Sequence, residues 1–87
     1  MIQTIQVNIQ QAYVGMSVNG YTRTVSTTNQ TAFTTTQMYQ IGSTMVFVNG
    51  GYQSFTSYVE NSGLMSITFL SGQANGAIVE IRYNQAL

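Results

Sequence analysis

The chain contains no cysteine, histidine, lysine or proline, and only four of its 87 residues are charged. Without cysteine it has no disulfides, and without cysteine and histidine it lacks the usual ligands of transition metals. The side chains that most often act as general base, nucleophile or Schiff-base former are missing as well. We therefore expect no cofactor and no metal site.

The few charges also exclude classes of partner. The two basic residues, Arg23 and Arg82, cannot form the positive surface that a phosphate backbone requires, so we expect no nucleic acid partner. No apolar run approaches the length of a membrane span, so we expect no membrane insertion. The first residues lack the basic segment and continuous apolar stretch of a signal peptide, which predicts synthesis in a cytoplasm.

Glu60 and Glu80 are the only acidic side chains. Glycoside hydrolysis needs two carboxylates across a sugar, so the pair had to be considered as catalytic groups. Glu80, however, lies two residues from Arg82 in a predicted strand, Glu60 precedes a turn-like segment, and 87 residues leave little room for a deep cleft. We predict that the protein is not an enzyme.

The length of the chain predicts a single domain over residues 1–87, with a modest core. Domains of this size often gain stability from disulfides, metals or neighbouring subunits, and only the last remains available here. The chain is 44% hydrophobic and has a net charge of zero, so it lacks the charge that keeps small domains apart in solution. We therefore expect a homo-oligomer.

Three Asn-Gly dipeptides divide the chain, and runs of β-branched and aromatic residues flank each of them. Asn-Gly is the strongest short signal for a tight hairpin, because both residues tolerate the positive φ of a type I′ turn. The turn residues predicted in this way are Asn19, Gly20, Asn49, Gly50 and Gly76. A two-residue turn at Asn19-Gly20 would place Val18 opposite Tyr21 in a largely apolar hairpin face.

Hydrophobic residues alternate with polar ones along much of the chain, which is typical of half-buried strands. The alternation predicts strands within residues 4–9, 13–18, 21–27, 44–48, 52–60, 65–69 and 79–83. Residues 26–37 form either a loop held by Phe33 or an edge strand. The apolar run 45–48 predicts a central strand that is covered on both faces. The fold class is thus all-β, a small antiparallel β-sandwich or barrel of about seven strands with Asn-Gly hairpins.

Residues 46–53, with the sequence VFVNGGYQ, resemble the "VxVNGxxQ" hairpin of a small β module found in bacteriophage fibre and other virion proteins. An aromatic residue precedes the hairpin of that module, here Phe33, and a tyrosine follows it, here Tyr58. An "IxF" strand and a "VxIxY" strand then follow, here residues 67–69 and 79–83. The resemblance covers residues 33–83. The chain departs from the module in two loops, at Gly51 and at residues 75–77.

The resemblance implies a virion structural component, often trimeric, that catalyses no reaction. A free-standing chain of this size suits a capsid decoration (cement) protein, which self-associates and binds the outside of the particle beside the phage capsid proteins. The alternative is a knob module of a tail or head fibre that binds host-surface glycans, because exposed tyrosine, asparagine and glutamine also suit sugars. No coiled-coil or collagen-like shaft is present in the sequence, which favours decoration. Both functions predict that the protein is located in the virion.

Several residues are candidates for subunit contacts. Tyrosine supplies apolar area with a polar tip, and Tyr39 and Tyr52 are the tyrosines that we predict at an interface. Gln53 either bonds back onto the adjacent turn, which we favour, or reaches a neighbour. Arg23 on its predicted apolar face must meet a carboxylate, a carbonyl or solvent, and our hypothesis is a pair with a glutamate within or between subunits. Residues 1–11 are predicted to form a strand or arm that adds to the sheet edge of a neighbouring subunit, with Ile5 and Val7 on its apolar face.

Overall fold

A computed structural model describes residues 18–86, which form two antiparallel sheets. The strands are β1 (Val18–Val25), β2 (Gln30–Thr34), β3 (Met45–Val48), β4 (Gly51–Gln53), β5 (Tyr58–Glu60), β6 (Ser66–Gln73) and β7 (Ile78–Gln85). One 3-10 turn, Phe55–Ser57, precedes β5. The predicted all-β fold of about seven antiparallel strands is confirmed. The strand at 4–9, the arm at 1–11 with Ile5 and Val7, and nearly all of the strand at 13–18 lie outside the described residues.

The larger sheet has four strands in the order β1-β7-β3-β4, and the smaller has three in the order β2-β6-β5. In the four-stranded sheet, β7 pairs with β1 on one side and with β3 on the other. In the three-stranded sheet, β6 pairs with both β2 and β5. The last strand of the chain therefore lies inside its sheet, and β1 lies at an edge.

The core lies between the inner faces of the two sheets. The predicted alternation in β7 is confirmed, because Val79, Ile81 and Tyr83 are all buried. The other core side chains are Phe33, Tyr39, Val46, Tyr58, Ile67 and Phe69. Phe69 contacts the rings of Phe33 and Tyr58 edge-on, at centroid distances of 5.5 and 6.1 Å. Burying each such side chain contributes roughly 1.5–3 kcal/mol, so these aromatic contacts are a main source of stability.

Asn49 and Gly50 form the two-residue loop between β3 and β4. Their φ angles of 49° and 83° lie in the left-handed region that a type I′ turn requires, and Val48 pairs with Gly51 across the loop. Asn49 also donates its N–H to the Ile78 carbonyl at 2.8 Å and accepts the Ile78 N–H on its side chain at 2.9 Å. The loop is therefore joined to the start of β7.

The predicted turn at Asn19-Gly20 is wrong. Both residues lie within β1, opposite Asn84 and Tyr83, and Val18 pairs with Gln85 rather than with Tyr21. The reason lies in the packing, since a Cβ on Gly20 would overlap the ring of Tyr83. Glycine serves here to let an aromatic ring cross a strand, which is another common use of glycine in sheets.

Gly76 does occupy a turn, with a φ of 84°. The turn joins β6 to β7, which belong to different sheets, so it carries the chain across the sandwich. The Gly76 N–H donates to the Ser26 carbonyl at 2.8 Å, which ties this crossing to the end of β1. Residues 26–37, predicted as loop or edge strand, contain the edge strand β2 with Phe33 buried in the core.

Tyr39, predicted as an interface residue, belongs to the core. Its exposed fraction is 0%, its ring lies 6.3 Å from that of Tyr83, and its hydroxyl donates to the Ser66 carbonyl at 2.6 Å. The Tyr39 N–H donates to the Leu64 carbonyl at 2.8 Å. These bonds hold the segment between β2 and β3 against the open end of the sandwich, so the tyrosine is enclosed.

Candidate functional site

The face of the four-stranded sheet that points away from the core carries an unusual set of side chains. Successive residues of a strand point to opposite faces, so the neighbours of the buried Val46, Val79 and Ile81 point outward. We use "outer face" for the following residues: Tyr21, Arg23, Met45, Phe47, Tyr52, Glu80 and Arg82. The outer face holds three of the four charged residues of the chain.

The register of the strands arranges these residues in two rows. In one row Arg82 lies between Tyr21 on β1 and Met45 on β3. In the other row, Glu80 lies between Arg23 and Phe47, and Tyr52 on β4 follows Phe47. Neighbouring strands are about 4.8 Å apart, so the row of three residues spans about 10 Å across the sheet and the row of four spans about 14 Å. The outer face is thus an open sheet surface.

One end of the outer face is organised around Tyr21. Its hydroxyl donates to the Glu80 carboxylate at 2.5 Å, and the Arg82 guanidinium carbon lies 5.3 Å from the centre of its ring, within cation–π range. The hydrogen bond to Glu80 raises the pKa of the Tyr21 phenol above its ordinary value. The three side chains therefore hold one another in place at the surface.

The other end of the outer face is aromatic. Phe47 and Tyr52 meet edge-on with their ring centres 5.9 Å apart, and Tyr52 is 56% exposed. Met45 is 48% exposed, so the prediction that residues 45–48 are covered on both faces is wrong. The strand β3 is flanked by β7 and β4 within the sheet, while its outward side chains remain uncovered by the described chain.

The other predicted site residues have simpler roles. Arg23 is exposed and lies opposite Glu80 rather than on an apolar hairpin face, so the register brings it beside the predicted kind of partner. Gln53 forms the favoured local bond, because its amide donates to the Gly51 carbonyl at 3.0 Å. The pairing of Tyr21, Glu80 and Arg82 was missed, because 59 residues separate Tyr21 from Glu80.

The fourth charged residue, Glu60, has a structural role in the other sheet. Its carboxylate accepts the N–H groups of Gly42 at 2.7 Å and Thr44 at 3.3 Å, and the Thr44 hydroxyl at 2.5 Å. These bonds fasten the segment before β3 to β5. The two glutamates thus belong to different sheets and have different partners.

Two further features bear on chemistry. Within residues 18–86, no group of three side chains is arranged to hold a metal ion, and no helix is long and apolar enough to cross a membrane. A shallow cavity of about 240 Å³ opens beside the outer face, lined by Asn19, Gly20, Ser43, Met45, Arg82, Tyr83 and Asn84. Its amide and hydroxyl groups offer hydrogen bonds rather than acid–base chemistry.

These observations define a small antiparallel β-sandwich whose exposed aromatic and charged side chains are concentrated on one sheet. Comparison of the chain with protein-family models, curated proteins and solved structures found no match in any of the three.

Proposed function

We propose that the protein is a non-enzymatic structural protein of a bacteriophage virion, and specifically a capsid decoration protein whose outer face docks on the particle. The observation that carries this proposal is the concentration of Tyr21, Tyr52, Arg23 and Arg82 on one exposed sheet face. Tyrosine and arginine are the residues most enriched at the energetic centres of protein interfaces. The resemblance of residues 33–83 to a virion β module supplies the phage context.

The chemistry of the outer face indicates the surface that it would fit. It carries two arginines and one glutamate, and hence a net charge of +1 (two minus one), among apolar and aromatic side chains. Glu80 is occupied by Tyr21, whereas Arg23 is exposed. The complementary surface is therefore largely apolar and weakly acidic.

The size of the outer face indicates how it would bind. Four strands at about 4.8 Å spacing, each contributing about two outward side chains at intervals of about 6.8 Å, give an area on the order of 300 Å². A stable interface buries about 800 Å² on each partner, so a single copy would bind weakly. Several linked copies would bind far more tightly through avidity, which suits a protein that decorates a repeating lattice.

The first test is the copy number of the chain in purified virions, measured by quantitative mass spectrometry against the major capsid protein. A decoration protein is expected at a ratio commensurate with the capsid lattice. A handful of copies per particle would instead identify a fibre or vertex component. Absence of the chain from virions would overturn the phage proposal altogether.

The alternative function, a fibre knob that binds host-surface glycans, is supported by one feature of the same face. Tyr21 and Tyr52 stand at its two sides, and Glu80 and Arg82 lie between them. Sugar rings stack their C–H faces on exposed aromatic rings, while charged side chains accept or donate to the hydroxyls. Titration with oligosaccharides, followed by NMR shifts of the tyrosine rings, tests this alternative. Saturable shifts confined to the outer face would favour it over decoration.

A further inference from the structure

The open edge of β1 is the longest regular sheet edge in the described part of the chain. β1 stands at the end of the four-stranded sheet, and all eight of its residues pair in unbroken register with β7, from Val18 opposite Gln85 to Val25 opposite Ile78. Such an edge presents unpaired backbone groups to any extended segment that approaches it. Which segment pairs with this edge does not depend on the function proposed for the outer face.

The hydrogen bonds show which backbone groups of β1 point outward. Ser26 donates its N–H to the Ala77 carbonyl at 2.8 Å, and in an antiparallel ladder such bonded positions recur at every second residue. The N–H and C=O groups of Tyr21, Arg23 and Val25 therefore point away from β7. The Asn19 carbonyl accepts the Gln85 side chain at 3.2 Å, so the open stretch begins at Tyr21.

The other sheet edges of residues 18–86 are poorer acceptors. β4 and β5 each have three residues, which is too short to pair with a six-residue strand. The pairing of β2 with β6 is interrupted by a register shift between Gln30 and Ala32, which breaks the regular spacing of its edge. β1 alone among the described strands offers a long edge in regular register.

The side chains of β1 differ on its two faces. Tyr21 and Val25 are exposed on the outward side. Thr22 and Thr24 are on the inward side, where the Thr22 hydroxyl bonds to the Thr36 hydroxyl at 3.1 Å. A strand added at this edge should therefore be apolar on one face and polar on the other. Residues 4–9 have this pattern, with isoleucine and valine at 5, 7 and 9 and amides at 6 and 8.

We propose that residues 4–9 of one copy add as a strand to the open edge of β1 in a second copy. Seventeen residues precede β1, and the alternation of β1 continues back in phase through Met16 and Val14. Residues 10–12, Gln-Gln-Ala, directly follow residues 4–9. They include none of the residues that favour a tight reversal, so we infer that the segment pairs with a neighbour and not with its own chain.

Such an exchange makes each copy both donor and acceptor. Because each contact is the same in every subunit, the exchange can pair every β1 edge in a symmetric dimer or in a ring of three copies. The outer faces of the linked copies would lie together in one assembly. This arrangement would supply the several linked copies that weak docking on a particle requires, although the edge contact stands without it.

The absence of cysteine gives a direct test. Two differently tagged full-length chains, one carrying Val7→Cys and the other Arg23→Cys, are mixed, refolded together and treated with a short bis-maleimide crosslinker. The proposal expects a covalent product that carries both tags. In the matched control the acceptor chain carries Val59→Cys, at an exposed position of the three-stranded sheet, and should yield little of that product. Equal yields from the two acceptors would overturn the proposal.

A double variant carries both Val7→Cys and Arg23→Cys and is mixed with an excess of unmodified chain before crosslinking. This experiment distinguishes pairing of residues 4–9 with a second copy from pairing of the same residues with β1 of their own chain. Crosslinks confined within one chain would also overturn the proposal. A backbone variant gives an independent readout, because proline at Arg23 removes an outward N–H and leaves the bonds to β7 intact. Arg23→Pro is expected to dissociate the oligomer at least tenfold more readily than Arg23→Ala. Unchanged dissociation of folded Arg23→Pro would contradict the edge contact.

Discussion

The outward faces of the two sheets differ sharply, although their inward faces build one core. The outer face of the four-stranded sheet presents tyrosines, arginines and a carboxylate. The three-stranded sheet presents small hydroxyl and amide side chains together with Val59 and Leu70, which are 49% and 69% exposed. There the Asn61 amide donates to the Ser66 hydroxyl at 2.7 Å and to the Thr68 hydroxyl at 3.0 Å. Both faces leave large apolar side chains exposed, but only the four-stranded sheet also leaves tyrosines and arginines exposed.

The difference shows that this neutral, charge-poor chain has most of its charged side chains, together with exposed tyrosines, on one sheet face. Both inner faces use the same kind of apolar and aromatic side chain, so the core does not distinguish the sheets. The local hydrogen bonds of the three-stranded face satisfy its amide and hydroxyl groups, while Val59 and Leu70 remain exposed. The outer face retains aromatic area and an exposed arginine, which are the groups that gain most from contact with another surface.

The largest expected effect concerns the packing beneath the outer face. Gly20→Ala places a methyl group in the ring of Tyr83, and we expect a loss of about 2–3 kcal/mol in the free energy of unfolding from overpacking. Gly63→Ala is the matched control, because its added methyl would meet open space. Urea denaturation of both variants measures the difference. Equal stability of the two would show that the ring moves aside freely.

The two glutamates give the second comparison between the sheets. Glu60→Gln turns one of the two oxygens that accept these three hydrogen bonds into an N–H₂ group, which opposes the donors that faced that oxygen, and we expect a cost of about 1–3 kcal/mol. Glu80→Gln removes the charge of the acceptor in one exposed hydrogen bond, which the glutamine oxygen can still accept from Tyr21, and should cost less than Glu60→Gln. Thermal or chemical denaturation tests both. A larger loss for Glu80→Gln would reverse the roles that we assign to the two carboxylates.

Binding gives the third comparison. Tyr52→Ala removes an exposed aromatic side chain from the outer face, and we expect about tenfold weaker binding to capsids that lack the protein, or roughly 1.4 kcal/mol. Val59→Ala removes an exposed apolar side chain of the three-stranded sheet and should leave binding unchanged. Sedimentation of capsids with labelled protein measures both. Equal losses would place the contact elsewhere.

The smallest expected effects are in the titration of the tyrosines. Burial raises the pKa of the Tyr39 and Tyr58 phenols, so the folded state holds their protons more tightly than the unfolded state. Their contribution to the free energy of unfolding is therefore fully present below the ordinary tyrosine pKa of about 10. It is lost as the pH rises through the pKa values of the folded state. The free energy of unfolding, measured between pH 9 and 12, should show this decline, and the decline should be smaller in Tyr58→Phe. A decline unchanged in that variant would contradict the assignment.

The exposed Tyr21 responds to a different cause. Because the Glu80 hydrogen bond is the main reason that its pKa is raised, Glu80→Gln should lower the Tyr21 pKa and leave that of Tyr58 unchanged. Ring-labelled tyrosine followed by NMR resolves the two groups. If Tyr21 titrates alike in both proteins, the bond at the surface does not persist in solution.

The predictable parts of the fold are those with a local cause. Alternation in residues 79–83 predicts an inner and an outer face, since side chains in a strand point to opposite sides, and Val79, Ile81 and Tyr83 are buried as expected. The candidate site was less predictable. Tyr52 was named from its residue type, whereas the grouping of Tyr21 with Glu80 and Arg82 depends on which strands become neighbours.

The Asn-Gly dipeptide shows the same difference between what local sequence predicts and what depends on tertiary packing. At Asn49-Gly50 the positive φ angles of both residues form the loop, but at Asn19-Gly20 the same dipeptide lies in a strand beneath an aromatic ring. The sequence by itself determined the all-β class, the alternating faces and the scarcity of charge, because these follow from local residue chemistry. Only the tertiary structure decided that Tyr39 is core and that three of the four charges share one face, because strand order brings together residues that are distant in the chain.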